Sequence, residues 1–164
     1  MTRAHEPPVT LSLLDRLLDD APAVTTERAP GRTESEVALH AAVRRDLEWL
    51  LNARQPHQPD GARYPECAAS ALVFGLPDLS ALSADSAEAP RAVARLIDAA
   101  IALGEPRLVN VRVSVRRRED THSRDLHFLV EADLRMDPQP VRVAFDTRLE
   151  SVTGRCHVRE LVDA

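Results

Sequence analysis

The stretch Gly104-Glu105-Pro106-Arg107-Leu108-Val109-Asn110-Val111-Arg112-Val113-Ser114-Val115 is where the hydrophobic rhythm of the chain changes. Before it, Val93, Leu96, Ile97, Ala100 and Ile101 recur at the spacing that lines one face of a helix. After it, Val109, Val111, Val113 and Val115 alternate with Asn110, Arg112 and Ser114, the pattern of a half-buried strand. Gly104 is read as the C-terminal stop of the helix, and Pro106, which lacks a backbone donor, resists its continuation. Glu105 and Arg107 lie two residues apart and share one side of the chain if it is extended there.

Downstream, Arg116 to Ser123 reads as a charged turn. Leu126, Phe128, Val130, Ala132 and Leu134 then alternate, DPQP at 137–140 breaks the chain, and Val141, Val143, Phe145, Thr147 and Leu149 form a third alternating run. Three sequential strands with short connections favour an antiparallel three-stranded meander packed on the preceding helices, an α+β fold.

Upstream, the LSADSAEAP stretch ending at Pro90 leads into the helix, and FGLPDLS from Phe74 turns the chain at Gly75 and Pro77. A short helix is expected near Glu66 to Leu72, preceded by a loop over QPHQPDGARY at 55–64. Thr33 and Glu36 have capping-box spacing, so a helix should run from there to about Asn52. Leu39, Val43, Leu47 and Leu50 form its apolar stripe. Trp49 lies about 200° round the helix from Leu47, and is either buried beneath the sheet or an anchor for a partner. Leu11, Leu13, Leu14, Leu17 and Leu18 mark a short amphipathic helix, followed by a linker interrupted by Pro22, Pro30 and Gly31. Residues 1–32 are therefore expected to be a helical arm and linker, and residues 33–164 a single α+β domain. The arm docks on its own domain or on a partner, with Leu13, Leu14 and Leu17 as its candidate binding residues.

A chain of 164 residues suits one domain, and at this size roughly 70% of the unfolded surface can be buried. Three Phe, one Tyr and one Trp leave no aromatic surface for stacking bases, and a net charge of -5 argues against general nucleic-acid binding. All 21 basic residues are Arg, suited to bidentate pairing with carboxylates. Cys67 and Cys156 form neither a dense disulfide set nor a CxxC unit. With no signal-peptide pattern at the N-terminus and no apolar run of membrane-spanning length, an intracellular, soluble chain is expected. The six His residues form no HExxH or Cys/His cluster, no phosphate-binding loop is visible, and no cofactor is expected.

Four segments together resemble the TssE family of type VI secretion baseplate wedge subunits, which is similar to a phage baseplate wedge protein and carries a lysozyme-like label. They are SLLDRLLDD from Ser12, RRDLEWLLNAR from Arg44, FGLPDLS from Phe74 and GEPRL from Gly104. The likeness weakens around Ala21 to Arg32 and over the last ten residues. It implies a cytoplasmic subunit, in the baseplate beneath the inner membrane, that joins the wedge proteins TssF and TssG and helps to initiate the TssB/TssC sheath by strand addition. TssK and the VgrG spike hub are further neighbours it suggests. In that family the Glu-Pro-Arg tripeptide marks a contact with the wedge core, so Glu105, Pro106 and Arg107 are expected partner-binding residues, against the alternative of an internal corner.

The lysozyme-like label raises a second hypothesis, cleavage of peptidoglycan by two carboxylates about 5 to 10 Å apart. Glu66, Asp78 and Glu105 are available at loops or element ends. Among 26 acidic residues, some such pair is almost inevitable, and the aromatic platforms of a sugar cleft are scarce. No enzymatic activity is expected.

Overall fold

The computed structural model describes residues 8–18, 22–23, 25, 28–55, 63–68, 70–79, 88–116 and 125–161. The charged turn expected beyond Arg116, most of the loop at 55–64 and the lead-in at 80–87 lie outside them. The chain divides into two compact units, Met1–Val43 and Arg44–Ala164.

In the first unit, helix α1 spans Leu13–Leu17, and the Ser12 hydroxyl accepts a bond from the Asp15 amide at 3.3 Å. None of its residues is buried. Helix α2, Arg32–Asn52, runs on into the second unit. It starts before the expected Thr33/Glu36 box. The Gly31 amide donates to Glu34 Oε2 at 2.8 Å, so the acid that reaches back across the first turn is Glu34 and the residue it serves is Gly31. That amide, followed by Arg28, holds the Glu34 carboxyl below its usual range. Glu36 instead pairs with Arg32 at 2.5 Å, while the Ser35 hydroxyl accepts the Val9 amide at 2.8 Å. The expected stripe is otherwise continuous, since Leu39, Val43, Leu47 and Leu50 are all buried.

The second unit continues with α3, Pro65–Ala68, a 3-10 turn at Ala71–Val73, and α4, Ala89–Gly104. Val93, Ile97, Ala100 and Ile101 are buried along α4 as the spacing predicts, and Leu96 is half-buried. Four antiparallel strands follow: β1, Leu108–Arg116; β2, Leu126–Leu134; β3, Val141–Leu149; and β4, Cys156–Glu160, in the spatial order β1-β2-β3-β4. The α+β class and the meander are as expected, but there is a fourth strand. Only Cys156 and Val158 are buried within its five residues, too short an alternation to be recognised alone.

The sheet buries one face. Phe128, Val130, Ala132 and Leu134 of β2 and Val143, Phe145 and Leu149 of β3 join Cys156 and Val158 in the core, with Leu47, Leu50, Leu51, Ile97 and Ile101 from the helices. In β1 the simple alternation is broken. Val109 lies opposite Asp133 but Arg112 opposite Glu131, so β1 carries one extra residue, a β-bulge. Asn110 takes a left-handed backbone, φ 54°, which Asn tolerates better than most residues, and its side-chain Nδ2 donates to Asp133 Oδ2 at 2.8 Å. Across the bulge the faces exchange. Leu108 and Val113, which strict alternation would place on opposite faces, pair with Leu134 and Val130 on the same buried face.

Candidate partner-binding site

Three of the four segments singled out in the sequence converge on the second-unit part of α2. Gly75 comes against the end of that helix with φ 101°, and a Cβ there would lie 2.6 Å from the Ala53 carbonyl oxygen. The segment is held by bonds from the Leu76 amide to Ala53 O and from the Gln55 amide to Leu76 O, both 3.0 Å. The Gln55 side chain adds bonds to the carbonyls of Val73, 2.7 Å, and Gly75, 2.8 Å. Gly104 does end α4, but not through a left-handed backbone. A Cβ there would meet Leu50 Cδ1 at 2.5 Å, so its smallness lets α4 approach α2 closely.

The third segment forms the corner between α4 and β1. Glu105 is 3% exposed, and its carboxylate accepts bonds from Arg107 Nε at 2.7 Å, Arg107 Nη2 at 2.5 Å and the Arg107 amide at 3.2 Å. Arg107 Nη2 also reaches Asp46 Oδ2 on α2 at 2.6 Å. Asp46 Oδ1 in turn accepts a fork from Arg45, 2.9 and 2.7 Å, and the Arg45 guanidinium stacks over the Trp49 ring, 5.0 Å from its centroid. The bond to Glu105, outweighing burial and aided by Asp46, raises the Arg107 pKa above its ordinary value. Arg107 Nη1 is buried with no hydrogen-bond partner among the described residues.

The structure bears on two alternatives that the sequence leaves open. Trp49 is not buried beneath the sheet. It is 55% exposed because it sits round the helix from the Leu47 stripe, and Arg45 covers one ring face. The Glu105–Arg107 pair makes a corner within the chain itself, with Glu105 buried and Arg107 half-buried. The same corner nevertheless ends at a surface, because the ladder Glu105, Arg107, Asp46, Arg45 leads to the exposed indole of Trp49. Asp46 and Arg45 were not singled out in the sequence. A signal for them existed in the Arg44-Arg45-Asp46 run one turn before Trp49, but nothing in it points to Arg107. In the first unit, Leu13 and Leu17 are 74% and 81% exposed and Leu14 is also open.

The two sheet edges differ. On β4 the Cys156 amide donates to Asn52 Oδ1 at 3.0 Å, and Asn52 Nδ2 donates to the Cys156 carbonyl at 2.8 Å. The side chain of Asn52 thereby takes the place of a neighbouring strand, with Arg44 Nη1 reaching the Val158 carbonyl at 3.5 Å beyond it. β1, at the other end of the sheet, has β2 on one side and no strand on the other among the described residues.

The carboxylates considered for hydrolysis do not assemble a cleft. Glu66 is exposed on α3. Asp78 is exposed at a cavity of about 410 Å³ whose other carboxylate, Glu150, is held below its usual range, chiefly by the Thr153 hydroxyl and further by Arg148. Glu105 is buried and engaged by Arg107, and so faces no substrate. Among the described residues no group of His, Cys, Asp and Glu could hold a metal ion, and no helix is long and apolar enough to cross a membrane.

The profile of the family described as baseplate wedge protein gp25 matches residues 37–139. The chain belongs to the gp25 baseplate wedge family. No curated protein matches the sequence. The gp25 match covers Trp49, Asp46, Gly75 and the Glu105-Pro106-Arg107 corner, together with β1 and β2. It leaves out α1, β3 and β4. As a gp25-family protein the chain is a structural baseplate component, built to associate with other components of a baseplate.

Proposed function

We propose that this gp25-family chain is the TssE wedge subunit of a type VI secretion baseplate, acting without catalysis in the cytoplasm beneath the inner membrane. It joins TssF and TssG through the surface on which the Glu105-Pro106-Arg107 corner emerges, with Trp49 as the anchor. Leu13, Leu14 and Leu17 form a second, apolar attachment on the arm. The sheath proteins TssB and TssC add to an open edge of its sheet, and TssK and the VgrG hub lie nearby in the assembly. The observation that carries this reading is the half-open indole of Trp49, stacked under Arg45 at the end of a ladder rooted in the buried corner. A large exposed aromatic side chain is the residue type on which interface energy concentrates.

The test is co-expression with TssF and TssG of the same organism. Glu105→Ala and Arg107→Ala should weaken the complex, but both also disturb the fold, so Trp49→Ala is the decisive variant. It should leave thermal unfolding nearly unchanged while removing about 2 kcal/mol or more of binding. Co-purification of Trp49→Ala at wild-type yield, together with undiminished binding of a Leu13→Ser/Leu17→Ser variant, would defeat the assignment of these surfaces. Turnover of purified peptidoglycan, lost in Glu66→Gln, would defeat the non-catalytic reading.

A further inference from the structure

The side of β1 that carries no strand among the described residues borders a groove of about 1180 Å³ between that strand and α4. Its floor is apolar, with Ala94 of α4 and Val111, Val113 and Val115 of β1. Val115 is 37% exposed although its cross-strand partner Phe128 is fully buried, so the apolar face of the sheet runs on to the edge and stops uncovered. A nine-residue strand with no neighbour on this side among the described residues also leaves a row of backbone donors and acceptors available for pairing. The opposite edge offers no such row at Cys156, where Asn52 has taken both backbone groups.

The charges round the groove select among strands. Arg91 is paired with Glu88 at 3.1 Å. Arg95 and Arg112, which also line the groove, have no carboxylate within 4.0 Å among the described residues, and Asp98 is the one remaining acid in the lining. The groove is therefore locally basic on a chain whose net charge is -5.

We propose that this groove receives an extended segment of a partner chain as a fifth strand on β1, and that the segment alternates apolar with acidic residues. Its apolar side chains cover Val113 and Val115 on the side of the sheet that faces α4, and its carboxylates, on the opposite face of the added strand, meet Arg112. This rests on the strand-addition reading given above and adds to it the edge used and the chemistry of the incoming strand. Pairing of β1 with a second copy of itself is disfavoured, because it brings the unpaired arginines of the two copies into one groove.

The experiment uses the full chain and three labelled nine-residue peptides, followed by fluorescence anisotropy at low salt: alternating Val and Glu, alternating Val and Lys, and the Val/Glu peptide N-methylated on the residues that would bond to β1. The Val/Glu peptide should bind about tenfold more tightly than the Val/Lys peptide, N-methylation should abolish binding, and an Arg112→Ala variant, changed only at an exposed position, should lose the preference. Binding that survives N-methylation would overturn strand addition itself. Binding that is sensitive to N-methylation but indifferent to Glu or Lys would leave strand addition standing and overturn the acidic partner. No binding of any peptide, or a self-associated chain in sedimentation that the Val/Glu peptide cannot dissociate, would overturn both.

Discussion

Replacing Arg107 by Ala should destabilise the isolated protein far more than its partly exposed position suggests. The guanidinium supplies two of the three donors to the Glu105 carboxylate, from Nε at 2.7 Å and Nη2 at 2.5 Å, and the third is only the Arg107 amide at 3.2 Å. With Glu105 3% exposed, water cannot replace what is lost. Asp46 also loses a bond, but it keeps Arg45 and its side chain is 23% exposed, so its share is small. Stranding one member of a buried charge pair costs about 3–5 kcal/mol. For a chain of this length that is a fall in Tm of roughly 6–20 °C. Urea unfolding of the wild type, Arg107→Ala, Glu105→Ala and the double variant closes a thermodynamic cycle. The double variant should be less destabilised than the sum of the singles, because neither charge is then left alone. A loss below about 1 kcal/mol for Arg107→Ala, the range of an exposed pair, would refute the buried-corner account. An additive cycle would refute the pairing.

Other consequences are equally specific. Gly75→Ala places a Cβ 2.6 Å from a backbone oxygen at φ 101°, so it should cost well over about 1 kcal/mol in chemical unfolding; a neutral result would mean the Ala53 contact is not tight. Asn52→Ala leaves the Cys156 amide and carbonyl without their partners and should cost about 1–3 kcal/mol, with faster hydrogen exchange at the Cys156 amide as the local readout. The Thr147 hydroxyl is buried with no partner among the described residues, so Thr147→Val should be neutral or stabilising in thermal melts; a large loss would reveal a bond to that hydroxyl. Burial pushes the Cys156 thiol up to about 11 from 9.0. The folded state then holds the proton more tightly than the unfolded one, and the associated stability is intact below pH 9 and lost as pH rises towards 11. A Cys156→Ala variant should lack that part of the alkaline decline, on the order of 2 kcal/mol.

Local order was legible where one short window carried the whole signal. The helical stripes on α2 and α4, the change of period after Pro106 and the alternations of β2 and β3 each needed only side-chain spacing, and burial follows them closely. Reading failed where two distant segments decide together. The extra residue in β1 can be seen only against β2, since Val109 and Arg112 are opposite Asp133 and Glu131, and Asn110 in isolation looks like one more polar position. The helix start was misplaced by rivalry among near-equivalent caps, because Glu34 and Glu36 both have spacing to serve a preceding residue and only the folded turn shows that Glu34 reaches Gly31. Trp49 was ambiguous because a helical angle gives a direction without saying what lies there.

By itself the sequence determined the α+β order, the apolar faces and the change from helix to strand at Glu105-Pro106-Arg107, because periodicity and proline act within a few residues. Tertiary structure decided what those pieces do. Arg107 finds Asp46 across 61 residues and Asn52 finds Cys156 across 104, converting a tripeptide into a buried corner and closing one edge of the sheet, while β1 at the other edge has no further strand among the described residues. Such pairings depend on which long loops close, and loop closure is governed by the packing of the whole chain rather than by the residues it brings together.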